Sequence, residues 1–280
     1  MRQSPRPCAI EPSLSVLDFP DVPRGLRTFS CRPFMKIDSR FDPFLRGSAF
    51  DNELGFPTSQ QRGNPGVLPD RISHLVELCR GKRVLHLGCC DHPPLVHDKL
   101  KNGTWLHARL TEVSQVCLGV DIDSGAVEFV KRETGFENVL LADLAVTAPE
   151  PVRTDPPWDL LVAGEIVEHL DSPVDFLSRL NQNLLNHCRE IVVSVPNAFS
   201  LQNFLGARRH LECINSDHRY WFTPYTLAKV LTRSGFRPTN FDFVSHGRIQ
   251  AGGIRSWLRV QMLRRYPSLR PTLVMNAVWP

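Results

Sequence analysis

The sequence predicts an α/β protein built on a doubly wound, mostly parallel sheet, and three observations predict it. Short apolar runs alternate with helix-length amphipathic segments from Leu68 onward. Those runs are nearly continuous in Val, Ile and Leu, as strands buried on both faces are. Glycine or aspartate stands at the end of the first three, where an open parallel sheet keeps its ligands.

Composition fits one such domain. A chain of 280 residues, 42% hydrophobic and 22% charged, can bury one large core and carry an appendage, while two full domains would be cramped. The net charge of +4 comes from 33 basic and 29 acidic side chains, read as spread along the chain with no dedicated polyphosphate-binding arm. A nucleic-acid partner is neither required nor excluded, and the oligomeric state is open. The eight cysteines form no CxxC pair, and Cys79, Cys117 and Cys188 fall in apolar-periodic segments. They read as reduced thiols packed like small hydrophobes, which implies a cytoplasmic protein. No apolar run approaches the ~18 residues of a membrane helix, so the expectation is a soluble chain without a span.

Taken in order, residues 1–66 are rich in Pro, Arg, Ser and Phe without periodicity and predict an irregular N-terminal arm. Phe34, Phe41, Phe44, Phe50 and Phe56 recur between polar residues, so the part from Met35 is expected to pack over the domain as a lid. The phrase "MKIDSRFDPF" also leaves two translation starts open, Met1 and Met35. Residues 67–280 form the domain. A helix from Pro69 to Arg80 carries Ile72, Leu75, Val76 and Cys79 at helical spacing and stops at Gly81. "KRVLHLG" is the first strand, followed by helical patterns on either side of Asn102–Thr104. "QVCLGVDID" is the second strand, "SGAVEFVKRETG" a helix, "ENVLLADL" the third strand and "PWDLLVAGE" the fourth. "SPVDFLSRLNQNLLNHC" is again a helix and "REIVVSVPN" a fifth strand. A loop over Asn197–Phe222, a helix from Pro224 to Gly235, a strand over Pro238–Val244 and an apolar strand "TLVMNAVW" complete the reading.

The residues just after each strand carry the chemistry. Gly88 lets the backbone turn tightly and approach a ligand with no Cβ in the way. Asp121 ends the second strand with a carboxylate, the group needed to accept both hydroxyls of a ribose. Asp143, after the third, can accept from an adenine amino group. Asp123 before Ser124 reads as a helix cap. An aspartate at a strand end is a weak signal alone, and the ordered series Gly, Asp, Asp points to a nucleoside.

With these residues in view, "VLHLGCCD", "LGVDID", "LLADL" and "WDLLVAGEIVEHLDSP" resemble motifs one to four of the class I S-adenosylmethionine-dependent methyltransferases, over roughly Leu68 to the end. The resemblance implies a Rossmann-like, seven-stranded sheet whose antiparallel seventh strand "TLVMNAVW" supplies. It implies S-adenosylmethionine as cofactor, with Gly88, Cys89 and Cys90 lining the methionine part, Asp121 holding the ribose, Asp143 and Leu144 flanking the adenine, and Ile122 also among the cofactor-binding residues. The family pattern has further glycines after the first, whereas this chain runs Cys90, Asp91, His92 into Pro93-Pro94.

"GEIVEHL" places Glu165, Glu168 and His169 on a turn or first helical turn, where spacings of three and four share a face. Two carboxylates and an imidazole suit Mg²⁺ or Mn²⁺, and His218, on the loop after the fifth strand, is a fourth candidate. Similar Glu-x-x-Glu-His clusters occur in ubiquinone-type O-methyltransferases and in small-RNA terminal 2′-O-methyltransferases, where they hold a divalent metal. The alternative is a plain Glu165–His169 pair one helical turn apart, with Glu168 solvated or stabilising the helix amino terminus. Without a metal, His169 or His218 is the candidate base, with Glu165 beside them. His74, His97 and His107 read as surface or partly packed. Asn197 resembles an acceptor-side position but is also ordinary turn chemistry, and Tyr220, Trp221, Phe222 and Tyr225 either wall a substrate or anchor the loop.

The expected activity is methyl transfer to an oxygen of a sugar or small-metabolite hydroxyl. The stretch "DKLKNGTWLHARLTEVSQVCLGVDID" resembles methyltransferases of polysaccharide and specialised-metabolite clusters. RNA 2′-O-methylation and a non-catalytic methyltransferase-like partner protein are the alternatives.

Overall fold

The computed structural model describes residues 35–58, 68–153, 156–247 and 253–279. The expected arm before residue 35 lies outside them. The residues from 35 on belong to one compact unit. Its strands are β1 (Met35–Lys36), β2 (Arg83–Leu87), β3 (Val116–Asp121), β4 (Val139–Leu141), β5 (Trp158–Gly164), β6 (Cys188–Pro196), β7 (Arg237–Val244) and β8 (Thr272–Val278). They form one sheet in the order β1-β7-β8-β6-β5-β2-β3-β4. Strands β2 to β6 are mutually parallel, and β8 inserts antiparallel between β6 and β7. This is the doubly wound α/β fold, with eight strands among the described residues rather than the expected seven. The eighth is β1, whose two residues pair with Phe241 and Asn240 and are too few to show any periodicity.

Helices cover both faces: α1 (Asp42–Arg46), α2 (Arg71–Cys79), α3 (Pro93–Lys101), α4 (Leu106–Val113), α5 (Ser124–Thr134), α6 (Pro173–Leu184), α7 (Leu201–Ala207), α8 (Pro224–Arg233) and α9 (Gly253–Arg265). Their starts follow capping chemistry. Asp70 and Asp123 accept the backbone N–H of Ser73 and Ala126, each at 3.0 Å. Thr223 and Thr226 form a reciprocal capping box before Pro224. Alternate residues of each central strand enter opposite cores, Leu85, Leu161 and Val193 one of them and Val84, Leu160, Val162 and Val192 the other. That is why these runs lack polar alternation.

The segment from Met35, expected as part of an irregular arm and as a lid, is instead built into the core. Phe41 and Leu45 are buried, and Phe56 packs against Phe41 and the ring edge of Tyr225 at centroid distances of 4.8 and 5.6 Å. It lies on β7 and α8, at the opposite edge of the sheet from β3 and β4. α7 occupies part of the expected loop, and α9 fills the β7–β8 connection, where the sequence pattern marked no element.

His107, expected at the surface or partly packed, is fully buried, because α4 turns it towards β2. There its Nδ1 lies 3.3 Å from Nδ1 of the buried His86. Burial pushes the thiols of Cys79, Cys117 and Cys188 up to about 12, as inert packed cysteines should be. Among the described residues no helix is long and apolar enough to cross a membrane.

Candidate active site

The C-terminal ends of β2, β3 and β5 come together because these strands are neighbours and parallel. Gly88 turns the chain off β2 at φ 65°, its N–H donating to the Val120 carbonyl at 2.8 Å. A Cβ here would lie 2.9 Å from Cδ1 of Ile166. Both the conformation and the space therefore ask for glycine. Asp91 takes a second left-handed conformation, φ 57°, which aspartate tolerates and which serves the loop where the methyltransferase pattern has further glycines.

Cys89 and Cys90 turn their side chains inward. Both are buried, with sulfurs 3.7 Å apart. The contact with Cys90 and burial push the Cys89 thiol far above its usual range. The Cys90 N–H donates to Asp121 Oδ2 at 3.0 Å and the Asp123 N–H to Oδ1 at 3.1 Å. Each carboxylate oxygen keeps a second lone pair, so Asp121 is oriented and still able to accept. Ile122 beside it is 71% exposed, an apolar side chain with nothing over it.

At the β4 end Asp143 is exposed, and its Oδ1 takes the Ala145 N–H at 2.9 Å, a local turn bond. The Leu144 side chain is buried in the core, and its carbonyl accepts from Asn183 Nδ2 at 2.9 Å.

After β5 the four expected polar residues divide into three and one. Ligand atoms of Glu168, His169 and His218 lie within 4.8 Å of one another. The two imidazoles meet edge to face with ring centroids 4.6 Å apart. Glu168 sits on the 3-10 turn Val167–His169, fully buried, with neither carboxyl oxygen partnered. Burial, then the charge of Glu165, pushes its carboxyl up to about 8. Burial, then the neighbouring His169, lowers His218.

Glu165 does not join that group of three. Its φ of 58° swings it towards Arg71 at the start of α2, leaving Oε1 4.0 Å from the guanidinium Nε. The loop that brings His218 in is held by Arg219. Its Nε pairs with Asp171 at 2.6 Å, its Nη1 donates to the His169 carbonyl, and its N–H donates to the Glu168 carbonyl at 2.8 Å.

No family model matches the chain, and no curated protein does. Many solved S-adenosylmethionine-dependent methyltransferases are similar to it at low identity. A chain of the Haloferax volcanii complex of the Trm112 methyltransferase activator with a methyltransferase is 15% identical, over 74% of this chain and 88% of that one, with a TM-score of 0.49. Magnesium protoporphyrin IX methyltransferase of Synechocystis PCC 6803 is 14% identical over 75% and 82%, TM-score 0.45. A methyltransferase of Aquifex aeolicus is 13% identical over 75% and 90%, TM-score 0.45.

Several residues of uncertain part in the sequence have structural ones. Asn197 is buried and donates to the carbonyls of Ser268 and Arg270 at 2.7 and 2.6 Å, tying the β6 end to the start of β8. Phe222 lies in the core, and the Tyr225 hydroxyl reaches the Phe44 carbonyl at 3.5 Å. The loop-anchor reading therefore holds for these two. Tyr220 is 38% exposed and donates to the Asp171 carbonyl at 2.9 Å. Trp221 lines an open groove with Ala198, Asn203 and Leu211. Arg71 and Arg219 were missed in the sequence, since an arginine after a helix cap or within a polar loop carries no pattern of its own.

Proposed function

We propose that the chain transfers a methyl group from S-adenosylmethionine to an oxygen, and that the acceptor is a sugar or small-metabolite hydroxyl. The observation that supports this most is the Asp121 carboxylate, held by two backbone N–H groups beside the left-handed turn of Gly88 and the uncovered side chain of Ile122. In this reading Asp121 accepts the ribose hydroxyls, Ile122 and Asp143 take the adenine, and the backbone from Gly88 to Cys90 faces the methionine part. S-adenosylmethionine, when bound, supplies a methyl already activated by its sulfonium. The protein's residues then have mainly to align the acceptor and handle its proton.

That second task falls to Glu168, His169 and His218. One carboxylate and two imidazoles form a donor set that fits Mg²⁺ or Mn²⁺, and the two unpartnered oxygens of buried Glu168 are groups that a cation would satisfy. A bound cation would lower the acceptor hydroxyl's pKa. With no cation, His169 or His218 takes the proton directly. Glu165 acts on this group through its charge, opposed by Arg71.

Calorimetric titration of the purified chain with S-adenosylhomocysteine tests the proposal. Saturable binding is expected. Absence of binding at millimolar ligand would overturn it and favour a non-catalytic partner protein.

A further inference from the structure

The last acidic residue of the chain is Asp242, and the stretch 243–280 contains six arginines and no Asp or Glu. Since the whole chain carries +4, that stretch holds all of the positive excess and the rest is net negative, so the charge is not spread along the chain as its totals suggested. Its helix α9 is docked by one side, where Leu263 is buried. The opposite side carries Ile254, Trp257, Leu258 and Met262, which are 75%, 54%, 54% and 41% exposed. Their spacings of three and four put them on one ridge. Arg259 and Arg265 are exposed beside it, and the Arg265 guanidinium lies 5.2 Å above the ring of Tyr266. An uncovered apolar ridge on a helix of one charge sign is a composition that water alone does not favour.

We propose that α9 is an interfacial helix that docks the protein on an anionic bilayer surface. Ile254, Trp257, Leu258 and Met262 would enter the headgroup and acyl boundary, and the arginines would meet the lipid phosphates. Charge decides among the occupants. In a symmetric pair of copies the same patch faces itself, setting Arg259 and Arg265 against their own images with no acid in the stretch to answer them. A nucleic acid answers the arginines but leaves Ile254, Leu258 and Met262 in water. An anionic lipid surface satisfies both sets of groups. The docking does not rest on the methyl-transfer reading.

Its place in the fold gives it a consequence. Val244 at the end of β7 and Pro196 at the end of β6 both pair with Thr272 at the start of β8. The α9 connection therefore leaves and returns at the sheet edge that carries Gly88, Asp121 and Glu168. Docking through α9 turns that edge towards the surface and favours acceptors carried in it.

The test is flotation of the full chain with vesicles of phosphatidylcholine alone and of phosphatidylcholine with phosphatidylglycerol. Retention is expected on the second only, weakened by added salt. The double variant Trp257→Ser, Leu258→Ser should lower retention at least about tenfold, from the apolar area no longer buried. Its melting temperature should stay unchanged, since both side chains are exposed. Should that variant fail to fold, Ile254→Ser, at the first turn, tests the same ridge. The proposal is overturned by no retention on anionic vesicles, by retention that neither variant reduces, by a solution dimer that the ridge variant dissolves, or by binding to an RNA oligonucleotide in place of vesicles.

Discussion

Asp121 shows what a single side chain contributes and how it was legible. A carboxylate closing an apolar strand can be recognised from letters alone, and the parallel topology then places it at the ligand edge. The hydrogen bonds from Cys90 and Asp123 orient it before a ligand arrives. Replacing Asp121 by Ala should cost at least one charge-assisted bond, worth roughly 1.5 to 3 kcal/mol, so affinity for S-adenosylhomocysteine should fall tenfold or more. An unchanged dissociation constant by calorimetry would show the nucleoside to lie elsewhere. His169 and His218 were also legible, the second only by chain order. Glu165 was not, because spacing cannot report a φ of 58° that turns the side chain to Arg71. Cys89, Cys90 and Leu144 turn their side chains inward, which the letters do not tell, since a motif fixes the backbone's path and leaves the inward or outward turn to packing. For Glu168, His169 and His218, activity assayed with and without a chelator separates the two chemistries. Chelator-sensitive turnover restored by Mg²⁺ or Mn²⁺ marks a cation, whereas insensitive turnover that His169→Ala abolishes marks a direct base.

Elements were legible in proportion to the length of their pattern. The parallel strands announced themselves through runs such as "RVLHL" and "IVVSV", while Met35–Lys36 has no room for a period and Asp42–Arg46 only one turn. α9 escaped for another reason. Its Ile254, Trp257, Leu258 and Met262 are interrupted in sequence by arginines, Ser256 and Gln261 and lie on the bare side, while the buried contact is made by Leu263 on the other, so the letters show no core-facing apolar stripe. The first segment leads to a prediction about β1 and α1. A chain beginning at Val67 loses buried Phe41 and Leu45, worth roughly 1.5 to 3 kcal/mol each. At about 2 to 4 °C per kcal/mol for a domain of this size, its melting temperature should drop by roughly 10 °C or more. Binding of S-adenosylhomocysteine should persist, because β1 and β3 lie at opposite ends of the sheet. Equal melting of the short and full chains would mean that these elements add nothing to the core.

At the scale of the whole molecule, pH dependence of stability is set by groups the fold buries in their neutral forms, and no sequence pattern shows which these are. His86 and His107 share one Nδ1–Nδ1 hydrogen bond, which a neutral pair can make with one donor and one acceptor and a doubly protonated pair cannot. Burial lowers His107 from 6.5 to about 4 and holds His86 well below 6.5. The unfolded chain therefore binds more protons than the folded one between about pH 4 and 6.5. Stability rises with pH across that window and is lost as pH falls through it, on the order of 3 kcal/mol from His107 alone. Glu168 acts in the opposite sense. Its carboxyl is raised from 4.5 to about 8, so the folded chain keeps a proton that the unfolded chain has released, and stability falls as pH rises through that interval. Below pH 6.5 two imidazoles outweigh one carboxyl, and above it the carboxyl acts alone. The melting temperature, measured with chelator present from pH 4 to 9, should thus peak near pH 6.5. Glu168→Gln should flatten the alkaline limb and leave the acid limb in place. A melting temperature that holds or climbs as pH drops from 6.5 towards 4 would mean that the imidazoles take up protons without breaking their contact, and that water reaches the His86–His107 pair.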